Sequence, residues 1–342
     1  MTTLNFDVIL FIINPEILSI EKVRVLMPYD PEIARYNAAV VRSRKNSSDI
    51  LILIREVPIA NVKAGIPDKG NLLIYRSTPE KVEKVAQLDL SNSNISNWED
   101  ARAFRPDEID DQGVENEGVL IGLTAIRAID NKPVAATVRG KVIDGNFSID
   151  QESLVVYLDD EGKNVTPISL NQSLFRREGS RHSLEVVENV KDDCGKNGLK
   201  VKKRIDFPKR SWCEWKIGTQ AHLLPGGILP IHGVNRFSLG IDNETGDEIF
   251  GYTYSMGLVQ LDGELNVVKI ADNPLLTRES FKEILPMGTE LDTNKNVIYC
   301  CGYSVEGDSV KFIVNIGDLM TIEVSRSLFE LKTILDESSP IV

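Results

Sequence analysis

The residues best suited to acid–base work are Glu99 and Asp100, adjacent in Trp98-Glu99-Asp100-Ala101-Arg102. A carboxyl partly withdrawn from water by an indole and held by a guanidinium can act as a general acid or as a fixed acceptor. The plainer alternative is a solvated turn with an ordinary Glu–Arg contact, and spacing alone favours it.

Four further groups place polar residues inside apolar runs. Lys216-Ile217-Gly218 precedes Pro225-Gly226-Gly227-Ile228-Leu229-Pro230-Ile231-His232-Gly233-Val234. There His232 sits in an apolar strand ending at a glycine, where backbone can approach a ligand closely. A core histidine bonded to backbone, and a lysine covering Trp212 or Trp215, are the simpler explanations. Asn315-Ile316-Gly317-Asp318 contains a Gly-Asp pair, which is an ordinary hairpin turn. Phe175-Arg176-Arg177 and Ile54-Arg55-Glu56 put an arginine at a strand end. Such an arginine can enter a pocket and grip an anion with two N–H groups, or sit on the rim. No group is specific by itself.

Other chemistries lack their residues. There is no Gly-x-x-x-x-Gly-Lys-Ser/Thr phosphate loop, no His-Glu-x-x-His and no Gly-x-Ser-x-Gly elbow. With 3 histidines and no Cys-x-x-Cys among Cys194, Cys213, Cys300 and Cys301, neither a metal site nor a cofactor is expected. The cysteines read as free thiols of a reducing compartment, with Cys300 and Cys301 pointing to opposite faces of one strand.

The elements that must hold these residues are strands. Short runs rich in Val, Ile and Tyr recur at 50–57, 71–76, 119–129, 133–138, 154–158, 228–234, 249–260, 297–303, 310–316 and 320–324, bounded by Gly, Asp or Asn. Helical periodicity is confined to a turn at 79–85 and a closing helix at 327–335. Strands do not alternate with long helices, so an all-β propeller or paired sandwiches is expected rather than a doubly wound fold. Residues 1–342 read as one domain, with 1–30 and a surface loop at 191–204 peripheral.

A formal charge of -12 without a long basic run argues against nucleic acid or an anionic membrane as partner. The early apolar run at 8–13 is too short to span a bilayer and lacks a basic lead, which leads to a cytoplasmic expectation.

Taken in order, these groups resemble glycoside hydrolase family 130, the β-mannoside phosphorylases and related mannosidases. Tyr36-Asn37-Ala38-Ala39 resembles its Phe-Asn-Pro-Ala element, and 50–57 its Leu-Leu-Tyr-Arg-Val strand at Arg55. Glu99-Asp100-Ala101-Arg102 is similar to Glu-Asp-Pro-Arg, and Lys216-Ile217-Gly218 with 226–234 to Lys-Val-Gly followed by the His-Gly-Val segment. Lys163-Asn164 and Phe175-Arg176-Arg177 resemble its Lys-Asn and His-Arg-Pro marks, while Cys301-Gly302 and 315–318 resemble its closing pieces. Alanine replaces proline at 38 and 101, and residues 130–206 match least.

The resemblance implies a five-bladed β-propeller with a short C-terminal helix and a central site. It implies Asp100 as general acid, with Asn37, Arg55, Glu99, Arg102, Lys163, Arg176, Lys216, His232 and Asp318 around sugar and phosphate. The first expectation is an inverting phosphorylase acting on β-mannosides or similar β-linked oligosaccharides. It would use inorganic phosphate as co-substrate and release a sugar 1-phosphate. The alternative is an inverting hydrolase, with Glu99, Glu178 or Glu185 as candidate base, and a non-catalytic sugar-binding propeller is the third. The expected partner is a small oligosaccharide, and relatives that oligomerise make a homo-oligomer a further expectation.

Overall fold

The computed structural model describes residues 22–42, 50–63, 71–105, 118–143, 146–191, 197–219, 221, 223–241, 245–281 and 295–341. Strand β1 (Lys22–Met27) is followed by β2 (Ile33–Arg42), β3 (Ile50–Pro58), β4 (Asn71–Ser77) and β5 (Val82–Gln87). The short helix α1 (Ile59–Lys63) lies between β3 and β4. Next come β6 (Ile95–Phe104), β7 (Gly118–Arg127), β8 (Pro133–Ile143), β9 (Asn146–Pro167), β10 (Gln172–Arg177), β11 (Ser183–Lys191) and β12 (Asn197–Asp206). The last group is β13 (Lys216–Gly218), β14 (Ile228–Ile241), β15 (Glu248–Leu261), β16 (Val267–Ile270), β17 (Lys295–Asn296), β18 (Ile298–Glu306), β19 (Ser309–Ile316) and β20 (Met320–Ser327). Helix α2 (Leu328–Asp336) closes the chain. The fold is all-β with a short C-terminal helix, as its turn-punctuated apolar runs require.

Four sheets result, ordered β2-β3-β4-β5, β12-β11-β10-β9-β8-β7-β6, β13-β14-β15-β16 with β17 beside β15, and β1-β20-β19-β18. Among the described residues nearly all pairing is antiparallel, and only β17 runs parallel to its neighbour, β15. Within the long β9, partners change: residues up to Glu161 pair with β8, and 162–167 with β10.

Each core lies between neighbouring sheets. Leu51 and Leu53 of β3 pack with Ala101, Val119 and Ile121 of the next sheet. Ile52 and Ile54 of the same strand pack instead with Tyr299 and Ile313 of the last sheet. Strict alternation thus buries both faces of β3, and this explains its unbroken Ile50-Leu51-Ile52-Leu53-Ile54 run. Cys300 and Cys301 likewise enter different cores, matching the expected opposite faces. Cys213, Cys300 and Cys301 are free and buried; Cys194 lies outside the described residues.

Three local expectations change. The helical turn read at 79–85 is β5, an edge strand whose Glu and Lys residues face solvent; charge spacing alone mimicked a helix. The loop read at 191–204 contains β12, another edge strand, whose lysines keep it from presenting an apolar edge. Within 1–30, β1 is bound to β20, with Val23, Leu26 and Met27 buried. The closing helix forms as expected: the Ser327 hydroxyl accepts the Glu330 N–H at 2.9 Å, and Leu328, Leu331 and Leu335 face the core.

Candidate active site

A cavity of about 490 Å³ opens where strands from every sheet converge. Tyr36 and Arg55 come from the first sheet; Glu99, Asp100, Lys163, Asn164, Arg176 and Glu178 from or just beyond strands of the second. Lys216, His232 and Tyr254 come from the third, and Val297, Tyr299 and Asp318 from or beside the last.

The backbone is distorted where it feeds this cavity. The β6–β7 register shifts between Glu99 and Arg102, and Asp100 takes φ 52° inside that irregularity. A bulge of this kind re-aims one side chain, here the carboxyl that lines the cavity. Asn164 (φ 60°) and Asp318 (φ 57°) share the left-handed conformation. Non-glycine residues adopt it at a cost, so three of them around one cavity mark a functional site better than any motif does. Gly317 (φ 64°) precedes Asp318 in the β19–β20 turn. Asp318 is therefore both the ordinary turn residue and a cavity residue.

Side chains fix one another. Glu99 forms ion pairs with Arg55 at 3.1 Å and with Lys163 Nζ at 3.5 Å. The Arg55 guanidinium lies 4.6 Å from the Tyr36 ring centre. Tyr299 Oη donates to Asp318 Oδ1 at 2.9 Å, and the Asp318 N–H donates to Asn315 Oδ1 at 3.2 Å. Arg102, expected at the ligand, does not line the cavity. It lies buried behind the wall and donates to Asn164 Oδ1 at 3.2 Å and to the Ala101 carbonyl at 2.6 Å. The bulge at Asp100 breaks the alternation of β6, so Arg102 turns into the structure that holds Asn164 while Asp100 enters the cavity. Glu185 is also outside the cavity, paired with Arg177 at 2.9 Å. Asn37 lies in β2 at the irregular pairing between Tyr36 and Ala39, and its side chain is outside the described residues.

The cavity wall sets four cations, Arg55, Lys163, Arg176 and Lys216, against four carboxylates, Glu99, Asp100, Glu178 and Asp318, with Arg102 buried behind it. Burial alone would push the Asp100 carboxyl up, but Arg102, Lys163, Arg55 and Arg176 together hold it below the usual carboxylate range. Burial, then the Arg176 charge, brings Lys216 down to about 8. Burial and the neighbouring cations hold His232 neutral, well below the ordinary imidazole value. Burial, then Asp318, pushes Tyr254 up to about 12. Arg176 is 8% exposed and has no ion-pair partner within 4.0 Å among the described residues. Such a guanidinium calls for an anion from outside.

Two predictions arise from this geometry. Lys216 is cationic below about pH 8 and neutral above, so attraction for an anion is lost as pH rises through that value. Sulfate, whose own charge is constant there, should bind several-fold more weakly at pH 9 than at pH 7, about the effect expected of one charge-assisted contact. Lys216→Met should flatten the profile, as read by calorimetry. Gly218 pairs with His232 across β13–β14, and a Cβ there would meet His232 Nε2 at 2.5 Å. Gly218→Ala should displace the imidazole and cost about 1–3 kcal/mol of stability, read as a lowered Tm with loss of ligand affinity.

Sequence reasoning passed over Tyr254 and Tyr299, because a tyrosine in an apolar strand reads as core. Their signal was the sequence context of partners, Asp318 for Tyr299, and this is visible only once the sheets are assembled. Among the described residues no group of three or more His, Cys, Asp or Glu is placed to hold a metal, and no helix is long and apolar enough to cross a membrane.

No family model matches the chain, and no curated protein matches it in sequence. In fold it is similar to proteins that act on glycosides. It is similar to β-1,2-mannobiose phosphorylase from Listeria innocua at 14% identity and TM-score 0.55, over 92% of this chain and 93% of that one. Similar too is a structure reported with the family 130 glycoside hydrolases that target β-1,2 mannosidic linkages in Candida mannan (11% identity, TM-score 0.51, 93% and 88% covered). A GDP-Man-dependent mannosyltransferase from Leishmania mexicana shares the fold at 12% identity and TM-score 0.54, over 95% and 94%. The structural neighbours thus include the family 130 mannoside phosphorylases that the motifs resemble, and at these identities the likeness is one of fold.

Proposed function

We propose that this chain is an inverting glycoside phosphorylase that cleaves β-mannosides or similar β-linked oligosaccharides with inorganic phosphate, releasing a sugar 1-phosphate. The observation that carries the reading is the buried, ion-unpaired Arg176 sharing one cavity with Lys163, Lys216 and the carboxyl of Asp100. In this reading the sheets are the blades of a five-bladed propeller. The seven-stranded sheet divides at the partner change in β9, and β1 locks the last blade to the start of the chain. Packing of Ile52 and Ile54 against Ile313, which joins the first sheet to the last, supports a closed ring around the cavity.

Arg176, Lys163 and Lys216 hold phosphate; Tyr36, Tyr254 and Tyr299 offer aromatic faces to a sugar ring. A phosphate oxygen bonds to the anomeric carbon while the glycosidic C–O bond breaks, with inversion. The leaving oxygen gains the proton that Asp100 supplies, either directly or through a substrate hydroxyl. Asp100 is ionised in the empty cavity, so it must first take up a proton. A bound dianion offsets the charges of Arg176 and Lys163, which are among those holding its pKa down, and so raises it. Phosphate binding thereby arms the acid. Phosphate needs no base to activate it, and no cofactor is required. Retention of a phosphorylated product inside the cell fits the cytoplasmic expectation.

A hydrolase is the second reading, because Glu178 puts a further carboxylate in the cavity wall. An inverting hydrolase needs a base across a water-sized gap from the acid. The experiment is a panel of β-mannosides and β-glucosides with and without phosphate. Phosphate-dependent sugar 1-phosphate is expected; free sugar formed without phosphate would establish the hydrolase instead.

A further inference from the structure

A second cavity, of about 530 Å³, is lined by Lys209, Arg210, Ser211, Glu214, Trp215 and Arg236. Its Trp215 neighbours Lys216 of the first cavity, the indole ring centre lying 5.6 Å from the Lys216 Nζ. Its wall has three cations against one carboxylate, on a chain of formal charge -12. Arg210 is engaged by Asp272 at 3.4 Å, whereas Lys209 and Arg236 have no carboxylate partner among the described residues. The Arg236 guanidinium lies 3.8 Å over Phe250 and 5.9 Å from Trp215, held in place by rings rather than by a counter-charge. Tyr252 supports the indole at 5.0 Å, and the indole N–H is buried without an acceptor.

An indole offers its face to the C–H side of a sugar ring, and flanking guanidinium and ammonium groups select a substituent that is anionic. Neutral saccharides would leave those cations unmatched. We propose that this cavity is a subsite for an acidic sugar residue: a hexose ring stacked on Trp215, with its carboxylate or phosphate held by Arg236 and Lys209. The proposal rests on the glycoside reading of the central cavity in one respect, that the acidic residue is the distal part of the saccharide whose reacting bond lies at Asp100.

Binding can be measured without turnover, so failure of the phosphorylase reading and failure of this subsite are separate results. The full-length protein would be titrated by calorimetry with mannose 6-phosphate, glucuronate and neutral mannose. The same titrations would be run on Arg176→Gln, which disables the central anion site, and on that variant combined with Arg236→Gln or Trp215→Ala. Acidic sugars should still bind Arg176→Gln and bind about tenfold more weakly when either second change is added, as expected for one charge-assisted contact or one stacking face. The stronger of the two acidic probes identifies the anion as phosphate or carboxylate. Arg236 is exposed, so Arg236→Gln should keep the parent's Tm and serves as the control for folding. Binding abolished by Arg176→Gln alone would place acidic sugars in the central cavity and overturn the proposal. Mannose binding as tightly as the acidic probes would overturn it equally.

Discussion

Asp100→Asn should lower the rate of glycosidic cleavage by about 10³-fold, the middle of the range for loss of a general acid. The amide keeps the volume and the bulged backbone of β6 but has no proton to give at neutral pH. Its other consequence is electrostatic. Asp100 is the buried carboxylate amid Arg102, Lys163, Arg55 and Arg176, and neutralising it leaves those cations less balanced. The variant should therefore melt lower than the parent without anions and be rescued by sulfate. The sign with pH follows: a carboxyl held below its unfolded value adds stability above about pH 4, and that stability is lost as pH falls through the folded value. The same linkage gives a second readout. At pH 6 Lys216 is protonated with or without ligand, so sulfate binding draws protons to Asp100 and to any fraction of His232. Calorimetry in two buffers should show proton uptake that shrinks in Asp100→Asn. Unchanged uptake together with near-parental turnover would remove Asp100 from the acid's role.

The strands were legible because they rest on patterns that tertiary context reinforces, whereas the convergence of the polar groups was implied only by the resemblance to family 130. Runs such as 50–54 are apolar on both faces because two cores claim them, and the Ser327…Glu330 cap announces α2 locally. The edge strands were not legible. In β5 and β12 solvent claims most side chains, so alternation gives way to Lys and Glu that read equally as helix or loop. Of the site, Arg55, Glu99, Asp100, Lys163, Arg176, Lys216, His232 and Asp318 are brought to one cavity. What sequence could not give was direction. Arg102 and Asp100 are two residues apart on one strand, and regular alternation would aim them alike. The positive φ of Asp100 breaks that alternation, sending the carboxyl into the cavity and the guanidinium behind it. Nothing in Glu-Asp-Ala-Arg encodes the bulge, since the residue at its centre is one that only tolerates the conformation.

If Arg176 holds phosphate as proposed, the cost of keeping that site ready should appear there, with function and stability pulling in opposite directions. Its guanidinium is buried, and burial lowers its pKa, meaning that the charged form is disfavoured there. Asp100, Tyr254 and Glu178 relieve this without forming an ion pair. Arg176→Met keeps the stem's packing and removes the charge, so the protein without ligand should gain about 1–2 kcal/mol, seen as a Tm a few degrees higher. Phosphate affinity should fall by about 100-fold, the loss expected when a buried charge-assisted contact is cut. The two effects meet in one melting series. Rising phosphate should raise the parent's Tm by mass action and barely move that of the variant, so the curves cross. A variant that is less stable than the parent at zero phosphate would mean that Arg176 holds the wall together instead. Retained phosphate-dependent stabilisation in the variant would move the anion site away from Arg176 altogether. A crossing, by contrast, is the signature of a charge kept buried for a ligand, because no structural role gives a gain without phosphate and a loss with it.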